Sequence, residues 1–213
     1  TASGENSSAI GSYANATAKE ATAIGHLSVA SGLDSSAFGK GANASALEAT
    51  AVGYEAKASG EDSSAFGKEA NASGSESTAV GYEAKASADD SSAFGYEANA
   101  SANGSIALGY QSISSDTYAT ALGASSNASN QSATAIGASA NASGVYSTSI
   151  GMQTRANGGG SLSAGYLAVA EFNFATALGS GALGGAISAT AVGHQAKANF
   201  SNSSAIGAVS YTH

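Results

Sequence analysis

Residues able to do chemistry recur throughout this chain, but they recur in columns. Acidic side chains stand at Glu20, Asp34, Glu48, Asp62, Glu76 and Asp90, each 14 residues after the last. Such a ladder could collect a hard cation, yet that cation needs several oxygens converging on one point. One acid per repeat does not supply them, so no metal site is expected. Histidine occurs at His26, His194 and His213. The first two share one repeat position twelve repeats apart, too far to cooperate, and the third is the last residue. Hydrolysis needs a nucleophile, a base and an orienting group brought together once. Ser, Asp and Glu are plentiful here, but no repeat assembles a unique set. Gly179-Ser180-Gly181-Ala182-Leu183-Gly184 matches a dinucleotide fingerprint by letter, but no helix pattern follows it and Gly179 belongs to the repeat. The chain therefore reads as non-enzymatic and free of cofactors.

Three other groups invite binding rather than catalysis. Tyr82, Tyr96 and Tyr110 each follow a repeat glycine, so they should stack along one edge. They either seal a seam between subunits or offer an aromatic ladder to a partner. Phe172 and Phe174 break the pattern after Asn157-Gly158-Gly159-Gly160, as a local plug or as a contact site. Asn43, Asn71, Asn99, Asn127 and Asn141 begin Asn-x-Ser triplets in one column. That placement reads as a polar ladder facing solvent rather than as glycosylation sites.

What positions all of these is a repeat of fixed length. Fifteen glycines, from Gly11 and Gly25 to Gly207, follow one another at intervals of 14 with no insertion or deletion. Exact periodicity of this kind signals a stacked repeat architecture. The residue before each glycine is apolar, and the residue before that is Ala in thirteen copies and Ser in two, Ser149 and Ser163. Three and five residues after the glycine stand small residues such as Ala84 and Ala86, with polar ones such as Glu83 and Lys85 between.

Strand side chains alternate between faces with period two. In Thr78-Ala79-Val80-Gly81, Ala79 and Gly81 share one face, and Thr78 and Val80 the other. The faces that stay small in nearly every copy fit together as the inside of a narrow roll, with the charges turned to water. The larger column is left outside: Ile24, Phe38, Val52, Phe66, Val80, Phe94, Leu108, Leu122, Ile136, Ile150, Leu178, Val192 and Ile206, with Ile10 and Ala164 completing it. Phe38, Val52, Phe66, Val80 and Phe94 alternate large and small, which suits interdigitation. Ile106 and Leu162 add to the same face. At roughly 1.5–3 kcal/mol per side chain, covering this stripe is worth about 20–40 kcal/mol as an upper bound. A soluble monomer does not normally leave such a surface open, and no amphipathic helix in the chain can cover it. A further copy of the same stripe can, so a homo-oligomer around a shared apolar axis is expected.

With 213 residues in one unbroken repeat, a single elongated domain spanning 1–213 is expected, about 70 Å long at ~4.8 Å per turn. The chain has no cysteine or proline, hence no disulfide frame or thiolate metal site. Its apolar runs are too short to enter a membrane directly. Of 15 acidic residues 14 lie at or before Asp116, along with five of the seven basic ones. This balance disfavours nucleic acid as a partner. Tyr13, Leu27 and Val29 occupy positions expected to face solvent.

The unit Ser-Thr-Ala-Val-Gly-Tyr-Glu-Ala-Lys-Ala-Ser at 77–87 resembles the head repeat of trimeric autotransporter adhesins, the YadA-like heads, and the resemblance runs along the whole chain. It implies a left-handed parallel β-roll with one turn per repeat, three rolls packing into a homotrimer whose interface is the apolar column. It also implies a place on the outer membrane of Gram-negative bacteria, at the tip of a stalk. The implied partners are extracellular-matrix proteins such as collagen, fibronectin or laminin, host cells, other surfaces, or further heads. No Asn-Val-rich neck or membrane barrel follows Gly207, so the chain is expected to be a piece of a longer adhesin. No ligand motif beyond the repeat is shared, so no ligand residue carries over.

Two other classes compete. An ice-binding solenoid would use the column Thr22, Thr50, Thr78, Thr120, Thr134, Thr148, Thr176 and Thr190, but that column shares its face with the stripe. A trimeric phage or viral fibre shaft would show the same repeat. A hexapeptide acyltransferase is disfavoured, because it needs a longer turn and an active-site histidine.

Overall fold

The computed structural model describes residues 1–211. His213 lies outside the described residues. Two compact units make up the chain, Thr1–Ser105 and the remainder from Ile106. Both are all-β parallel solenoids, with no helix among the described residues.

Each 14-residue repeat closes one turn made of a three-residue strand, a corner, a two-residue strand and a second corner. In the first unit Thr78–Val80 and Lys85–Ala86 form one such pair; in the second, Thr120–Leu122 and Asn127–Ala128 form another. Equivalent strands pair in parallel and in register, so Ala65, Ala79 and Ala93 stand in line. So do Ala121, Ala135 and Ser149. This register keeps inward and outward faces separate, because a slip of one residue would exchange them.

Backbone hydrogen bonds between turns extend from the strands into the corners. Thr78 N donates to Ser91 O at 2.9 Å in the turn that follows, whereas Gly81 N and Glu83 N donate back to Phe66 O and Lys68 O at 2.8 and 2.9 Å. A turn thus gives hydrogen bonds in both directions, and backbone groups that an isolated loop would leave wanting are satisfied.

Each turn also holds two residues in the left-handed region, Glu83 (φ 51°) and Asp90 (φ 57°) among them. The acidic column Glu20, Asp34, Glu48, Asp62, Glu76 and Asp90 is one of these left-handed positions throughout. The repeat glycine answers a harder constraint. Gly39 has φ 134°, and a Cβ there would lie 2.3 Å from the carbonyl oxygen of Gly53 in the next turn. Only glycine lets two turns approach so closely.

The core is alanine. Ala65, Ala70, Ala72, Ala79, Ala84 and Ala86 are wholly buried, which gives the narrow small-residue interior expected from the columns. A third inward column was not foreseen: Ser35, Ser63, Ser77 and Ser91 are buried beside the alanines. Ser35 Oγ donates to Gly32 O and Ser77 Oγ to Gly74 O, both at 2.6 Å, tying the second corner to its strand. In the second unit Ser149 and Ser163, which replace the alanine two before the repeat glycine, pair with each other. Ser163 Oγ donates to Ser149 Oγ (3.2 Å), Ser149 Oγ to Thr154 Oγ1 (2.8 Å), and Thr154 Oγ1 to Gly151 O (2.9 Å). A buried polar chain closed in this way avoids the penalty of unsatisfied hydroxyls.

Candidate binding surfaces

The outer side of the three-residue strands carries the apolar stripe. In the first unit Ile24, Phe38, Val52, Phe66, Val80 and Phe94 are register partners in succession. In the second, Leu108, Leu122, Ile136 and Ile150 succeed one another, and after Ala164 come Leu178, Val192 and Ile206. Phe38, Phe66, Phe94, Leu108, Leu122, Ile150 and Ile206 are exposed, and Ile24, Val52, Val80, Ile136, Leu178 and Val192 are half-buried. Ile106 is exposed and Leu162 half-buried on the same face. Among the described residues nothing packs over this face. The Thr column lies on it too, as Thr78 and Val80 point the same way on either side of buried Ala79.

The residues just after the repeat glycine form a file along one edge. Tyr82 and Tyr96 stack with centroids 4.9 Å apart and planes 6° from parallel. The file is longer than the tyrosine pattern suggested, because lysines alternate with rings. Lys40 Nζ lies 5.3 Å from the Tyr54 centroid, and Lys68 Nζ lies 5.8 Å from Tyr54 and 4.9 Å from Tyr82. These are cation–π distances. Ring faces of Tyr54 and Tyr82 are therefore taken up within the file. The Tyr54 hydroxyl bonds to Glu55 and the Tyr82 hydroxyl to Glu83, which raises both phenols above their ordinary value. Lys68 pairs with Glu69 at 3.3 Å, and its ammonium is raised for that reason first. Tyr110 occupies the same column in the second unit and is exposed.

Beside this file lies a hollow of about 260 Å³ lined by Glu55, Lys57, Glu69, Asn71, Glu83 and Lys85. Its signal in the sequence was two polar columns two residues apart on one outward face, as Glu83 and Lys85 are; that this face is hollowed was not foreseen. The Asn column is half-buried between neighbouring strands, and Asn43 Oδ1 and Asn141 Oδ1 are shielded from solvent. It is thus less open than expected.

In the second unit Phe172-Asn173-Phe174 forms a corner over the glycine corner of the preceding turn. Asn173 Oδ1 accepts a hydrogen bond from Gly159 N at 2.8 Å. A Cβ on Gly160 would press on the Phe174 ring at 3.1 Å, and one on Gly158 would strike the Phe172 backbone. The glycines and the aromatic corner are shaped to each other, and both Phe172 and Phe174 remain exposed. Tyr13 and Leu27 are exposed as expected, whereas Val29 is half-buried.

No group of three or more His, Cys, Asp or Glu able to hold a metal converges among the described residues. His26 meets the edge of Tyr13, with centroids 6.1 Å apart. What the molecule presents is extended files of side chains on a stacked β-scaffold, the form of a surface-presenting repeat module.

The sequence bears this out at the level of family. The model described as YadA head domain repeat matches residues 2–28, 30–56, 44–70, 58–84, 72–98, 86–112, 100–126, 128–154, 156–182 and 186–210. The chain belongs to this family, the YadA-like heads of trimeric autotransporter adhesins. The family points to an adhesin-type role at the cell surface. No curated protein matches the chain.

Proposed function

We propose that residues 1–213 are the head of a non-enzymatic bacterial surface adhesin. It winds left-handed, assembles as a homotrimer about the apolar stripe, and is carried on the outer membrane by regions C-terminal to it. Its task is attachment to extracellular-matrix proteins of the collagen, fibronectin or laminin type, to host cells or other surfaces, and to other heads. One observation carries the reading: a file of outward residues, apolar and larger than alanine in every turn but that of Ala164 and exposed or half-exposed throughout, with nothing among the described residues to cover it. Burying such a file against its own copies satisfies all of them at once by cyclic symmetry. Partners are met across the remaining surface, for which Tyr82, Tyr96, Tyr110, Phe172 and Phe174 are the proposed contacts.

Light scattering across a dilution series tests the assembly. A mass near three times 20.3 kDa is expected. A stable monomer overturns it and turns attention to ice binding through the same face, read by thermal hysteresis. Surface-immobilised collagen, fibronectin and laminin then test attachment. Binding unchanged by alanine at Tyr82, Tyr96 and Tyr110 together removes those contacts from the proposal.

A further inference from the structure

The hollow beside the tyrosine–lysine file has a property that its residue types alone do not reveal. Glu55, Glu69 and Glu83 form one row, one residue per turn, and Lys57, Asn71 and Lys85 form a second row two residues on. The second row is held in register by parallel pairing of Lys57 with Asn71 and of Asn71 with Lys85. Successive turns are ~4.8 Å apart, so both rows have the same spacing. Among the described residues no ion pair joins the two rows. Glu69 pairs with Lys68 at 3.3 Å, and Glu55 and Glu83 interact with the neighbouring Tyr54 and Tyr82 hydroxyls. Lys57 and Lys85 are exposed, and among the described residues neither forms an ion pair.

Two copies of such a face can meet about a two-fold axis in two ways. An axis along the stacking direction exchanges left and right at constant height. It lays the glutamate row of each copy on the lysine row of the other: Glu55 opposite Lys57, Glu69 opposite Asn71, Glu83 opposite Lys85. The six contacts are four ion pairs and two carboxylate–amide pairs. An axis across the stack lays glutamate on glutamate and lysine on lysine, and like charges directly opposite are unfavourable. The face is therefore complementary to itself in one orientation and repulsive in the other.

We propose that this face docks a second copy of the head, side by side and running in the same direction. The orientation suits neighbouring heads projecting from one surface and not heads approaching from opposed surfaces. Each contact is wholly or partly open to solvent and weak, so the pairing gains its effect where many heads are held at high local concentration. That last step rests on the surface role proposed above; the pairing itself does not.

Because the chain has no cysteine, single cysteines report the geometry cleanly. Glu69→Cys and Asn71→Cys chains are assembled separately, then oxidised alone and mixed. The proposal expects cross-links in the mixture at several times the rate of either alone. It also expects at least a tenfold loss when Lys57→Glu and Lys85→Glu are added to both chains. A chain bearing those two changes should pair again with one bearing Glu55→Lys and Glu83→Lys. Cross-links equally fast in the unmixed samples, or a rate indifferent to the charge reversals, overturn the proposal. The mass at high dilution is read on the same samples. It reports the apolar stripe on the opposite sheet, so failure of the trimer and failure of the pairing are told apart.

Discussion

Two glycines in one corner make opposite demands, and substituting each in turn isolates what fixes the repeat. Gly39 has φ 134°, and an added Cβ would sit 2.3 Å from the oxygen and 2.8 Å from the carbon of the Gly53 carbonyl. Those atoms are main chain and cannot rotate away. Relief requires the two turns to part, at the expense of the bonds from Gly53 N to Phe38 O (2.8 Å) and from Glu55 N to Lys40 O (2.9 Å). With roughly 1–3 kcal/mol for the backbone conformation and about 1 kcal/mol for each of two hydrogen bonds, Gly39→Ala should cost about 3–5 kcal/mol. Gly41 has φ 68°, and its Cβ would meet only the flexible Cγ of Glu55 at 3.1 Å. Its column elsewhere holds Glu55, Glu69 and Leu167, all left-handed. Gly41→Ala should therefore cost about 1 kcal/mol, part of it offset by a stiffer unfolded chain. Gly207, with φ 117° and nothing within 4 Å of the added atom, separates the conformational cost from the contact. The assay is urea unfolding followed by circular dichroism at matched protein concentration. If the Gly39 and Gly41 variants fall within about 1 kcal/mol of each other, the close approach of turns does not explain the glycine column.

Other perturbations probe separate layers of the molecule. Val80→Asp together with Leu122→Asp should reduce the solution mass to that of one chain while leaving the β-sheet spectrum in place; an unchanged mass removes the stripe from the interface. Ser149→Ala strands the Ser163 hydroxyl in the core and should destabilise by about 1–2 kcal/mol. Adding Ser163→Ala restores the ordinary alanine column and should recover most of that loss, and simple additivity would show that the two serines do not act as a pair. Phenolate absorbance should show Tyr54 and Tyr82 ionising above the ordinary value of 10.0, because their hydroxyls bond to Glu55 and Glu83. A raised folded-state value means stability fully present below the ordinary phenol range and lost as pH climbs through the folded one. Glu55→Gln with Glu83→Gln should flatten that loss.

The repeat length, the alanine interior and the outward stripe were legible because each is a column with one chemical character. Ala79 and Val80 differ enough in size to assign faces by alternation alone. The buried serines were not legible, since Ser77 reads as a surface residue until its bond to Gly74 O is seen. Nor were the left-handed corners, which glutamate, serine and tyrosine occupy without a glycine signal. The edge file was read in part: the three tyrosines of successive turns were named, but Tyr54, Lys40 and Lys68 were passed over because Lys68 interrupts the run of rings. Alternation already put both columns of the hollow on the outward face, but its concavity depends on the path of a corner and not on any single spacing.

The identical edges that turns offer one another have a consequence at the level of the gene. Thr22 N meets Ser35 O, and Thr78 N meets Ser91 O, at the same 2.9 Å. A slippage event that removes or inserts whole turns therefore rejoins surfaces that already fit. Events spanning two turns also preserve the alternation of Phe38, Val52, Phe66, Val80 and Phe94 and the spacing of Lys57 and Lys85. Selection can thus lengthen or shorten the array, and multiply or thin its charged contacts, in a single mutational step that requires no new junction to evolve.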